Sequence, residues 1–117
     1  KRQMQDRVIW SSFNHYSIEK VRQLAPEAET AYLFGDIICD VEQYAAAHGV
    51  RGLHPGLYNV KMADLLQRYL ASGLAVRVWT VNGADDLRQL MEAGADVITN
   101  DPRLALDIRR SLTECPA

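Results

Sequence analysis

With 117 residues, 48% of them hydrophobic, the chain can form one globular domain with a moderate core, but falls well short of the roughly 250 residues of a whole (β/α)8 barrel. Thirteen Lys and Arg against fifteen Asp and Glu leave a formal charge of -2, and the basic residues are dispersed, which gives nucleic acid no footing. No apolar run approaches the roughly 20 residues that span a bilayer, so no membrane span is expected in this segment.

The chain begins at Lys1, and KRQMQDR is followed by no apolar signal core, so it reads as a piece of something longer with a cytoplasmic default. Cys39 and Cys115 are far apart, with no Cys-x-x-Cys spacing and no second cluster among the histidines. A zinc site and a disulfide are therefore not expected.

Arg7 to Phe13 (RVIWSSF) has the β-branched and aromatic content of a strand. Ile18, Val21 and Ala25 recur at helical spacing before Pro26 stops the run. Thr30 to Phe34 (TAYLF) is a second strand. Asp40 and Gln43 form a capping-box variant at the head of a helix that runs through Val41, Tyr44 and Ala45 to Gly49. Gly52 to Pro55 (GLHP) is a third strand. Met62, Leu65, Leu66, Tyr69 and Leu70 make a helical stripe that ends at Gly73.

Ala75 to Asn82 (AVRVWTVN) is the fourth strand. Alternation places Val76 and Val78 on one face and Arg77, Trp79 and Val81 on the other, as in a strand covered on both sides. Leu87, Leu90 and Met91 belong to a helix that stops at Gly94, and Asp96 to Asp101 (DVITND) is the last strand. Asp101 can cap the final helix, with Pro102 at its first position and Leu104, Ile108 and Leu112 on its buried face.

Five strand-helix repeats mean parallel strands joined by right-handed crossovers. Two α/β architectures fit: a complete five-stranded doubly wound sheet, or five consecutive units of a (β/α)8 barrel. The loops speak against the first. There is no acidic pair, phosphorylatable aspartate and lysine at the strand ends of a receiver. Phe13 is too bulky for a flavodoxin-type phosphate turn, and no GxGxxG or GxxxxGK[ST] occurs.

In order, SSF (Ser11 to Phe13), AP (Ala25, Pro26), AYLF (Ala31 to Phe34), LHP (Leu53 to Pro55), VWTVN (Val78 to Asn82) and ITNDP (Ile98 to Pro102) resemble the carboxyl-terminal part of glycerophosphodiester phosphodiesterases. The resemblance runs from about Arg7 to Arg110. It implies a TIM barrel of which residues 1–117 supply the fourth to eighth units, the amino-terminal catalytic portion being absent. It also implies a phosphoric diester hydrolase of phospholipid and glycerol metabolism, which yields sn-glycerol 3-phosphate and an alcohol with a divalent cation, Ca2+ or Mg2+.

The family's metal-binding Glu and Asp and its catalytic His-Arg-Gly and His-Asp motifs have no counterpart here. His15 precedes Tyr16, His48 precedes Gly49 and His54 precedes Pro55, so no catalytic residue is carried over. Asp36, Asp40, Asp85 and Asp86 read as solvated carboxylates, and no metal ligand is assigned. The usual Thr-Asp-x-Pro ending is Thr99, Asn100, Asp101, Pro102, with the aspartate displaced by one place. Without the missing ligands the segment alone is expected to be inactive, because a cation must neutralise the charged oxygens and an acid must protonate the leaving alcohol.

The resemblance makes Trp79 a flat wall for the substrate's glycerol carbons, with Phe13 equivalent on the fourth strand and His54 a donor to a phosphate or glycerol oxygen. Asn82, as a turn former, and Ser12 are supporting polar candidates. Arg77, two residues deeper than Trp79, needs a carboxylate partner in a barrel interior, such as one from the missing strands, or reaches water if its strand is an edge. The expected partners are a small glycerophosphodiester and the missing part of the barrel or a second copy, since edges near Val8 and Ile98 would otherwise stay unpaired. The alternative function is a non-catalytic remnant or binding module that uses the Trp79 end of the sheet.

Overall fold

The computed structural model describes residues 8–62 and 64–114. Arg7 and Cys115, named above for the first strand and for the cysteine pair, lie outside them. Strand β1 (Ile9–Ser12) leads into helix α1 (His15–Leu24), whose first turn is capped by the Asn14 side chain accepting from the Tyr16 amide at 3.0 Å. Strand β2 (Glu29–Phe34) is followed by α2 (Val41–Ala47), and β3 (Gly52–Pro55) by two helices, α3 (Leu57–Val60) and α4 (Leu65–Ala71). Strand β4 (Ala75–Val78), α5 (Ala84–Ala93), β5 (Asp96–Val97) and α6 (Pro102–Glu114) complete the order.

The strands pair as β1-β2-β3-β4-β5, each parallel to its neighbour. A doubly wound sheet reverses its strand order once, which sends helices to both faces; here every crossover steps the same way, so right-handed connections stack the helices on one face. The complete doubly wound alternative is thereby overturned. The sheet is an arc of five parallel units of a (β/α)8 barrel.

Alternation along the strands sorts their side chains between the two faces. Tyr32, Phe34, Leu53, Val76 and Val78 face the helices and form one core with Ile18 of α1, Val41 and Ala45 of α2, Tyr69 of α4, Leu87 and Leu90 of α5, and Ile108 of α6. Ser11, Leu33, His54, Trp79 and Ile98 share the opposite, concave face. No helix covers that face among the described residues, and Arg77 and Trp79 are half-buried there rather than enclosed.

Four local expectations change. Asp40 precedes α2 but makes no side-chain cap; its backbone is left-handed at φ 55°, and its carboxylate takes Arg68 at 3.0 Å instead. Met62 lies in the turn before α4, so the stripe begins in a loop. Regular pairing on β4 ends at Val78, and past it the period of two lapses: Val81 turns into the helix-side core. Strand β5 is two residues long because Asn82 draws the following segment into a turn, its Oδ1 accepting from Thr99 Oγ1 at 3.0 Å and the Asn100 amide at 2.9 Å. The displaced aspartate, Asp101, caps α6 by accepting the Leu104 amide at 3.2 Å.

Candidate functional site

The carboxyl ends of the strands open onto the concave face, where a slot of about 350 Å3 is lined by Ser11, Phe13, Leu33, His54, Trp79 and Ile98. None of these side chains bears a fixed charge. Trp79 forms its wall. The indole lies over the turns after β2 and β3, where a Cβ added at Gly35 or Gly56 would come within 3.7 and 3.4 Å of it. Its Nε1 donates to the His54 carbonyl at 2.6 Å, and Phe13, largely exposed, meets it edge-on with ring centres 5.5 Å apart. Trp79 and Phe13 are thus brought together from strands that are not neighbours.

His54 is 5% exposed, so its ring is placed by protein contacts rather than water. Arg77 Nη1 lies 3.2 Å from its Nε2, and Arg77 Nη2 donates to Glu29 at 2.9 Å. Arginine has only donors, so Nε2 must accept and the ring proton sits on Nδ1. That nitrogen has no partner among the described residues. The carboxylate sought for Arg77 therefore comes from this chain, at the start of β2, and β4 is no edge because β5 pairs with it.

Arg77 reaches Glu29 across β3 because Gly52 has no side chain. A Cβ at Gly52 would sit 2.7 Å from the Ala31 Cβ, 3.2 Å from Arg77 Nη1 and 3.3 Å from the Thr30 carbonyl. Gly52→Ala should therefore lower unfolding stability by about 1–3 kcal/mol, read as a shifted urea midpoint at an unchanged slope.

Burial holds the His54 pKa down from 6.5 to about 4; the Arg77 charge acts in the same direction, and Glu29 partly opposes it. Above pH 6.5 folded and unfolded rings are both neutral. As pH falls from 6.5 toward 4 the unfolded ring takes up a proton that the folded ring refuses, so stability declines, by up to about 1.4 kcal/mol per pH unit, and levels off below. Denaturant unfolding of native protein and His54→Gln across this range should differ in slope only within it.

The supporting candidates sit at the rim. Ser12 Oγ accepts the Asn14 amide at 2.9 Å and so serves the entry to α1, while the neighbouring Ser11 lines the slot. Asn82 ties the loop after β4 to the loop after β5 through the bonds given above. Of the other histidines, His15 lies between the Tyr44 hydroxyl and the Leu33 carbonyl, and His48 Nδ1 lies 3.0 Å from the Tyr44 carbonyl oxygen. Sequence alone missed Leu33, Ile98 and the Glu29–Arg77 pair. The first two share the strand parity of His54 and Trp79, which is the signal that identifies them.

A hard cation needs several converging oxygens. Asp40 is held by Arg68 and Asp86 by Lys61 at 3.2 Å, and Asp36 and Asp85 are exposed. Among the described residues no three His, Cys, Asp or Glu side chains converge, so these residues do not fit a Ca2+ or Mg2+ site.

An arc of parallel βα units with an aromatic slot at the carboxyl ends of its strands has that slot where (β/α) barrels carry their binding sites. The chain belongs to the glycerophosphoryl diester phosphodiesterase family, whose model matches residues 1–104. It is 37% identical over 99 residues to the uncharacterized protein YqiK of Bacillus subtilis, covering 84% of this chain and 41% of that protein. It is 31% identical over 107 residues to a glycerophosphodiester phosphodiesterase of Caldanaerobacter subterraneus subsp. tengcongensis, covering 91% and 44%. Among solved structures it superposes with a TM-score of 0.83 at 22% identity on a glycerophosphodiester phosphodiesterase of Parabacteroides distasonis, covering 96% of this chain and 47% of that one. A phosphodiesterase of Oleispira antarctica in complex with sn-glycerol-3-phosphate gives 0.78 at 20% identity, covering 87% and 41%. The chain thus spans less than half the length of these relatives.

Proposed function

We propose that this chain supplies the substrate wall of a glycerophosphodiester phosphodiesterase that releases sn-glycerol 3-phosphate and an alcohol from glycerophosphodiesters. The supporting observation is the uncharged slot under Trp79, at the strand ends of a family arc. A largely apolar wall without a charged side chain suits the uncharged glycerol carbons. The sn-glycerol-3-phosphate bound by the Oleispira antarctica relative supports the same substrate class.

The rest of the barrel, on the same polypeptide or a partner, brings the acid and base and the ligands of a divalent cation, Ca2+ or Mg2+, since the described residues provide neither. In this account the segment's part is to bind and orient the glycerol half. The complete enzyme, incubated with glycerophosphocholine and glycerophosphoethanolamine, should release sn-glycerol 3-phosphate, and chelation should stop it. A complete barrel that binds these compounds but never cleaves them would favour the non-catalytic binding module instead.

A further inference from the structure

A second cavity, of about 510 Å3, lies at the other end of the sheet from the slot, where the strands begin. Arg22 from the last turn of α1, Glu27 from the loop that follows, Glu29 and Thr30 at the start of β2, and Gly49 and Arg51 ahead of β3 line it. None of its lining belongs to β1 or β5, the open edges at which the rest of a barrel would join. Its charges are unequal. Glu29 is held by Arg77 at 2.9 Å, whereas neither Arg22 nor Arg51 is paired with a carboxylate among the described residues. Two guanidinium groups therefore stand against the one remaining carboxylate, that of Glu27.

Arg22 is half-buried, and its head group lies against Gly49: a Cβ there would collide with Arg22 Nη2 and stand 3.0 Å from Cζ. Gly49 is also left-handed, at φ 76°, where a side chain is strained. The glycine thus serves twice, turning the chain after α2 and leaving room for a cation along the cavity wall. Arg51 is exposed and open to solvent, while Thr30, 3% exposed, belongs to the inner wall. We propose that this cavity is a binding site for a small molecule that carries one phosphate monoester group and an uncharged, hydroxyl-bearing remainder.

The chemistry of the lining selects this class. A guanidinium fork donates paired N–H bonds to the oxygens of a phosphate or a carboxylate, but only the phosphate has oxygens enough to serve two forks at once. A phosphate dianion also offsets the charge of both arginines. The cavity falls in the size range of small-ligand sites and holds more than a bare phosphate ion, so the group arrives attached to something. Glu27 sets what that something is. Its exposed carboxylate repels a second anionic group and accepts from hydroxyls, which disfavours bisphosphates and dicarboxylates.

The test uses the complete enzyme with arginine side-chain nitrogens labelled for NMR, so that this cavity is read apart from the slot. Its probes are sn-glycerol 3-phosphate, inorganic phosphate and glycerol. The Arg22 and Arg51 Nε–H signals should shift together and saturably with sn-glycerol 3-phosphate, at least about tenfold more tightly than with inorganic phosphate, and should not move with glycerol. Arg22→Gln, read at the Arg51 signal, should weaken the ester by at least about tenfold, and Arg51→Gln, read at the Arg22 signal, should do the same. Signals that stay still as the ester is added overturn the proposal. So does inorganic phosphate that binds as tightly as the ester, and so does either variant with unchanged affinity. If Arg22→Gln fails to fold, Arg51→Gln, altered at an exposed side chain, carries the same readout. What the slot binds is decided separately, by hydrolysis with unaltered enzyme, so the two readings fail independently.

Discussion

Residues 1–117 alone are expected to hydrolyse no glycerophosphodiester above the buffer rate, with Mg2+ or Ca2+ present. Phosphodiester cleavage needs the anionic oxygens neutralised and a proton delivered to the leaving oxygen, and each accounts for orders of magnitude in rate. The described residues offer neither at the slot. His54 takes a proton only near pH 4, so it is no acid at neutrality. His15 and His48 are engaged with Tyr44, on the helix side of the sheet. The check is enzymatic detection of sn-glycerol 3-phosphate, and any metal-dependent release by the segment alone would show that ligands have been misplaced. The open edges at β1 and β5 lead to a companion expectation: sedimentation at micromolar concentration should show association or aggregation rather than a stable monomer.

In the complete enzyme, Trp79→Ala should raise KM by about 30- to 100-fold, the scale of a central aromatic anchor worth about 2–3 kcal/mol. Three contacts are lost together: the cover over Gly35 and Gly56, the edge-on contact with Phe13 and the bond to the His54 carbonyl. Trp79→Phe keeps a flat wall but not the N–H, so its KM should rise less, by about three- to tenfold. Tyr16→Ala, at a side chain 87% exposed on α1, is the control and should leave KM unchanged. Steady-state kinetics on glycerophosphocholine separate these cases. Equal KM for Trp79→Ala and native enzyme would remove the indole from the site.

Much of the fold is written in local patterns. The strand-helix order, the stop at Gly94 with its φ of 100°, and the Asp101–Pro102 start of α6 follow from residue types whose conformational preferences act within one turn. The order of strands in the sheet does not. Alternation implies parallel pairing but says nothing about whether a crossover steps left or right, and the family resemblance had to supply the barrel.

The wall of the slot was legible at Trp79, which sits at a strand end with an apolar body and one polar handle. The carboxylate that Arg77 needs was not legible, because Glu29 lies 48 positions away and the two meet only because Gly52 leaves a gap on the intervening strand. Asp40 shows the converse failure. Its spacing to Gln43 suits a cap, but Arg68, 28 positions away, competes for the carboxylate and is not visible in any local window.

On the proposed function, the glycerol half of the substrate lies in the concave slot. A crystal structure of the complete enzyme with sn-glycerol 3-phosphate tests this most directly. The expected result is glycerol carbons within about 4 Å of the Trp79 indole, the usual contact distance, with the phosphate directed toward the strands that this chain does not supply. A ligand bound elsewhere, with the slot filled by protein side chains, would contradict it.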